Sequence, residues 1–102
     1  MENELLIMQL IANGGDARSH AMGSIGLARK GEYDAAEEKL ITARGCISEA
    51  HKVQTSLIQK EAAGEKQPIS LLMIHAQDHL MNAMTVVDMA TEFIHLYKNQ
   101  RG

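Results

Sequence analysis

His75-Ala76-Gln77-Asp78-His79 sets two imidazoles, an amide and a carboxylate into a stretch that is otherwise almost wholly apolar. Leu71-Leu72-Met73-Ile74 leads into it and Leu80-Met81 follows, so on a helix the rings must sit in or beside a hydrophobic surface. Polar groups buried there without partners would cost several kcal/mol. An unperturbed imidazole titrates near ~6.5, and its neutral ring offers one nitrogen as a donor and the other as a nucleophile or metal ligand. His75 is therefore the first candidate for chemistry. His75 and His79, spaced i and i+4, also match one edge of a zinc site, but zinc needs three or four ligands and no second His or Cys pair has suitable spacing. Glu92-Phe93-Ile94-His95 resembles the Glu-x-x-His element of carboxylate-bridged di-iron bundles, which need a second such element and two further glutamates. The chain has no second copy, so His95 reads as solvent-facing, and His20 and His51 read as surface or loosely packed residues.

The elements that must hold these groups are helical. The 102 residues make one domain, 1–102, with a thin core if it folds alone. Abundant Ala, Leu, Ile and Met, one Pro and no Trp, with no alternating β-branched runs, predict an all-α fold. A formal charge of -3 with scattered Lys and Arg leaves no basic stripe for a phosphate backbone, so nucleic acid is excluded as a partner. Leu5-Leu6-Ile7-Met8 is preceded by Glu2 and Glu4 and cut by Gln9, which fits neither a secretory signal nor a membrane span. A cytoplasmic protein is expected. Cys46 is alone and, among Ala43, Ile47 and Ala50, reads as a small buried residue.

Three helical segments can be read. The first runs from about residue 3 to 29, with Leu6, Leu10, Ala17, Ala21, Ile25 and Ala28 near helical spacing, and stops at Gly31. Gly14-Gly15 interrupts it, as a kink, a point of close helix approach, or a place where backbone must clear a ligand. Asp16 and Arg18 just after it could form a local ion pair of little worth. The second segment starts near Asp34, with Glu37 completing a capping box, and carries Ala36, Leu40, Ala43, Ile47, Ala50 and Leu57 on one face. Residues 62–67 form a loop, and Pro68 suits the first turn of a third helix that runs to about Lys98.

At about 100° per residue, the third helix places Leu72, Ala76, Leu80, Ala83, Val87, Ala90 and Ile94 on one apolar face that should fill a core. Its other side holds His75, Asp78, His79 and Asn82 above Val86, Met89, Phe93 and Leu96. That second apolar stripe asks for burial against another subunit, and rotational symmetry about this helix is the economical solution. Copies of Asp78 would then converge near the axis. Two like charges about 4 Å apart repel by about 4 kcal/mol at an effective dielectric near 20, so a cation or shared protons would have to relieve them.

From His75 to Met81 the chain resembles the enzyme IIA component of the lactose/cellobiose/chitobiose branch of the bacterial sugar phosphotransferase system. The likeness extends through Gly15-Asp16-Ala17-Arg18-Ser19, Glu49-Ala50-His51 with Gln54-Thr55, and Leu96-Tyr97-Lys98. It implies an antiparallel three-helix bundle assembling as a homotrimer, and a phosphotransferase component that carries phosphate from the histidine-containing phosphocarrier protein to the cysteine of a sugar-specific IIB partner. The residues it implies are His75, accepting the phosphoryl group through Nε2, and Asp78, the ligand of a magnesium ion at the trimer axis shared by all subunits. A relay needs a nitrogen nucleophile held rigidly for in-line attack, and axial carboxylates suit a hard cation with oxygen ligands. That metal would be structural. His79, one turn from His75, could donate a hydrogen bond to the phosphoryl group, with Gln77 as a peripheral candidate. Met73, Met81 and Met84 are adaptable contacts for two successive partners, at least two of them expected in the core. The alternative is a non-catalytic helical trimer or regulatory adaptor whose polar stripe sets register. The residues do not choose among cellobiose, chitobiose, lactose or another disaccharide.

Overall fold

The computed structural model describes residues 2–101 and consists of three α-helices, α1 (Glu2–Arg29), α2 (Tyr33–Ala62) and α3 (Leu71–Arg101). They form a bundle of 54 × 20 × 19 Å. Among the described residues there is no strand, and no helix is long and apolar enough to cross a membrane.

The two connections stop their helices with the same device. Gly31 (φ 85°) donates to the Ala28 carbonyl at 2.9 Å while Glu32 donates to Leu27 at 3.0 Å. Gly64 (φ 94°) and Glu65 repeat the pattern on Glu61 and Lys60. These paired bonds satisfy carbonyls that a helix end otherwise leaves open, and the positive φ favours glycine. The expected Asp34–Glu37 capping box is not formed. The first turn of α2 follows directly on the Gly31 turn, its N-cap is Glu32 without a side-chain bond, and Asp34 lies inside the first turn, where its charge still suits the helix dipole. Glu37 instead pairs with Lys98 of α3 at 2.8 Å. The hydrogen bond from Lys98 lowers the Glu37 pKa, and the same contact raises that of Lys98. At α3 the expected start at Pro68 is also corrected. Ser70 caps the helix, its Oγ accepting the Met73 N–H at 3.1 Å, and a capping hydroxyl satisfies an otherwise open donor that a preceding proline cannot reach.

α1 is the central element. It packs extensively on both other helices, whereas α2 and α3 meet along a narrower seam. Ala17, Ala21, Ser24 and Ala28 are fully buried on α1, and such small side chains let its neighbours approach closely. The Ser24 hydroxyl donates to the Ala21 carbonyl at 2.6 Å, so its burial leaves no open group. Two apolar clusters fill the bundle: Ile7, Leu10, Ala50, Leu57, Ala76 and Leu80 at one end, and Ala21, Ala28, Ala36, Leu40, Ala43, Val87, Ala90 and Ile94 at the other. Burial of each of Leu10, Leu80 and Ile94, which have essentially no exposure, contributes about 1.5–3 kcal/mol. The expected core face of α3 holds from Ala76 onward, but Leu72, in the first turn at the bundle's end, is 42% exposed.

Polar ties stitch the narrower seam. The Tyr33 hydroxyl donates to the Tyr97 carbonyl, Arg44 to Thr91, and Gln54 to Gln77. Cys46 is half-buried rather than enclosed; burial, and then the Asp16 carboxylate, push its thiol pKa up, which disfavours the reactive thiolate.

Candidate functional site

α3 presents its polar cluster over the first apolar cluster, because Ala76 and Leu80 of the same turns are the residues buried there. The period of the helix then turns His75 and Asp78 outward, both exposed, and leaves Gln77 and His79 half-buried at the flanks. His75 makes no hydrogen bond among the described residues and stacks on His79, with ring centroids 5.6 Å apart and planes inclined by 22°. An accessible ring with free nitrogens is what a nucleophile visited by other proteins needs.

The glycine pair explains how His79 fits. α1 runs through Gly14 and Gly15 without a break, so they mark a close helix approach. A Cβ at Gly14 would lie 3.3 Å from His79 Cδ2 and 3.5 Å from the His79 carbonyl oxygen and Leu80 nitrogen, and one at Gly15 would lie 3.3 Å from His79 Nε2. The two glycines cost about 1 kcal/mol each against alanine in a helix interior.

Below His79 an open groove of about 410 Å³ is lined by Arg18, Asn82, Thr85 and Val86. Arg18 makes no ion pair with Asp16 among the described residues, contrary to the expected local pair, and its place beside His79 has no signal in the sequence because the two are far apart along the chain. Gln77 points elsewhere: its Oε1 accepts from Gln54 Nε2 at 2.7 Å, and its own amide lies 3.9 Å from Met73 Sδ. It ties α3 to α2. Met73 and Met84 pack against the core while Met81 is exposed, as expected for two core residues of the three. His51 and His95 are exposed and His20 half-buried.

The outer stripe also stands as expected. Met89, Phe93 and Leu96 are 51%, 37% and 50% exposed, with Val86 half-buried above them. Asp78 is a solitary carboxylate within one chain: among the described residues, no group of three His, Cys, Asp or Glu side chains is placed to hold a metal. Its oxygen donors suit a hard cation, but only in company.

Comparison with known proteins finds the same fold. The family model described as the lactose/cellobiose-specific IIA subunit of the phosphotransferase system matches residues 5–98. The lichenan-specific phosphotransferase enzyme IIA component of Bacillus subtilis is 54% identical, over 99% of this chain and 94% of that protein. The crystal structure of the cellobiose-specific enzyme IIA from Bacillus anthracis superposes with a TM-score of 0.97 at 51% identity, covering 99% of this chain and 93% of that one. The IIA(chitobiose) chain solved in solution with HPr, from the N,N'-diacetylchitobiose branch of the Escherichia coli phosphotransferase system, gives a TM-score of 0.84 at 38% identity, covering 97% and 96%.

Proposed function

Because the chain belongs to the lactose/cellobiose-specific IIA family of the sugar phosphotransferase system, we propose that His75 is the residue through which it works. The protein is a phosphocarrier that relays phosphoryl groups between HPr and a IIB component during sugar uptake, through a phosphohistidine intermediate. The observation that carries the assignment to His75 is its exposure at the centre of the polar cluster, with no hydrogen bond to either nitrogen among the described residues. In the accepting step the Nε2 lone pair of His75 forms a bond to phosphorus. The bond from phosphorus to the donor's imidazole nitrogen breaks, and its electron pair returns to that nitrogen. The proton on the second nitrogen of each ring stays where it is, so the step balances without a further acid or base. In the donating step the thiolate sulfur of the IIB cysteine forms the new bond to phosphorus, while the bond from phosphorus to His75 Nε2 breaks and its electron pair returns to Nε2.

Such a transfer has a loose transition state and leaves the protein mainly positioning and charge stabilisation to perform. The rigid helix supplies the first. His79 supplies part of the second by donating a hydrogen bond to a phosphoryl oxygen, and Gln77, held by Gln54, keeps the turn between the two histidines in register. Exposed apolar side chains next to His75, Leu71 and Ile74 among them, give both protein partners a surface to dock on. The sugar is a disaccharide such as cellobiose, chitobiose or lactose, handled by other components of a system that keeps this one in the cytoplasm.

The assembly that fits these residues is a homotrimer of antiparallel three-helix subunits, with the Met89, Phe93 and Leu96 stripe turned toward the axis. One Asp78 from each subunit would then hold a magnesium ion, whose charge offsets the repulsion among the carboxylates. Asp78→Leu is expected to leave the trimer at least as stable, since apolar packing replaces that repulsion, and to remove bound divalent metal. Light scattering together with metal analysis checks this, and a monomeric variant would refute the account of the axis.

The function itself is tested by mixing the purified protein with phosphorylated HPr and following its mass. A gain of one phosphoryl group that is lost in acid and survives alkali is expected of a phosphohistidine. No gain, or an acid-stable one, would overturn the reading.

A further inference from the structure

We infer that Gly15 is a positioning residue for the phosphoryl site: the missing side chain seats the His79 imidazole against the backbone of α1 and thereby sets how the stacked pair of His79 and His75 is presented. The inference rests on the reading of His75 as the acceptor and His79 as its hydrogen-bonding neighbour.

The glycines within α1 differ in what a methyl group would meet. At Gly14 it would meet α3 backbone at His79 and Leu80 as well as the His79 ring, so that glycine sets the spacing of the two helices. At Gly26 it would meet nothing within 4 Å. Only at Gly15 is the whole contact made by the imidazole, at 3.3 Å from Nε2. A contact that short obliges the ring to retreat by a few tenths of an ångström, and the methyl would also cover one of the ring's two hydrogen-bonding edges. The retreat bears on His75 as well, because the two rings are stacked with centroids 5.6 Å apart and planes inclined by 22°. In a reaction driven by placement, errors of about 1 Å far from the chemistry can cost 10²-fold, so a shift of a few tenths should be visible in the rate while leaving the fold intact. Alanine is the better helix former, which separates the two effects: Gly15→Ala should gain helix stability and lose transfer.

The test compares Gly15→Ala with Gly26→Ala, the control that touches nothing, in single-turnover transfer from phosphorylated HPr. Gly26→Ala is expected to melt higher and react at the wild-type rate. Gly15→Ala is expected to melt no lower than wild type, to react about tenfold more slowly, and to shift the His79 ring resonances. Because Gly15 acts through His79, Gly15→Ala should cost nothing further in a His79→Gln background. Equal rates for Gly15→Ala and wild type overturn the proposal, and so does a loss that simply adds to that of His79→Gln. Should Gly15→Ala fold poorly, His79→Ala in the same chain makes room for the methyl and must restore melting; failure to restore it counts against the proposal. The acceptor assignment fails separately, if His75→Gln is still labelled.

Discussion

His75→Gln is expected to take up no phosphate from phosphorylated HPr while keeping its helix content and its oligomeric state. The amide has no nitrogen lone pair that can attack phosphorus, so covalent transfer loses its nucleophile rather than a supporting contact. The substitution is otherwise mild: His75 is exposed and makes no hydrogen bond among the described residues, and a surface replacement of that kind changes stability by about 0.5 kcal/mol or less. Loss of labelling therefore reports on chemistry and not on folding. Four other histidines, at positions 20, 51, 79 and 95, remain in the variant, and His79 already lies stacked on the ring that is removed. Unchanged labelling by mass would exclude His75, and mapping the phosphate would then show whether His79 carries it.

The second large effect concerns assembly. Phe93→Asp is expected to convert the proposed trimer to a helical monomer at micromolar concentrations, as read by sedimentation or light scattering beside circular dichroism. Phe93 is 37% exposed and forms a shallow apolar surface with Met89 and Leu96. Ala90 and Ile94, on the adjoining face of α3, keep the subunit's own core. The substitution removes up to about 3 kcal/mol of apolar burial per subunit. It also places like charges near one axis, each pair repelling by about 4 kcal/mol at 4 Å and an effective dielectric near 20. Together these exceed what a modest interface can absorb. A Phe93→Asp protein that stays trimeric would show that the stripe is not the contact between subunits.

These two residues also show how far the linear chain can be read. His75 and Phe93 both follow from helical periodicity on one element: the apolar face from Ala76 to Ile94 lies inward, and whatever shares the helix but not the face must point out. The same reasoning puts Asp78 outside, and the structure agrees. That at least two of Met73, Met81 and Met84 belong to the core was legible, but which two was decided by packing, with Met73 and Met84 half-buried against the cluster. Helix starts were less legible. Asp34 and Pro68 carry strong local signals for an N-terminus, but Glu32 and Ser70 occupy the cap positions. A start depends on where the preceding turn releases the chain, and Asp34 and Pro68 each lie within two residues of the true cap.

Composition and periodicity, acting within one helix or one turn, were enough to determine three helices, the apolar faces that join them, the stop at Gly31 and the outward presentation of His75. Tertiary structure decided everything that needs two helices to meet. It chose close approach over a kink for Gly14-Gly15, turned Gln77 toward Gln54, gave Glu37 to Lys98, and brought Arg18 into the groove of His79. The physical reason is one of range: helical period and capping are set by neighbours a few residues apart, whereas the rotation of one helix against another is set by the packing of small side chains along their whole length, and no short stretch of sequence contains it.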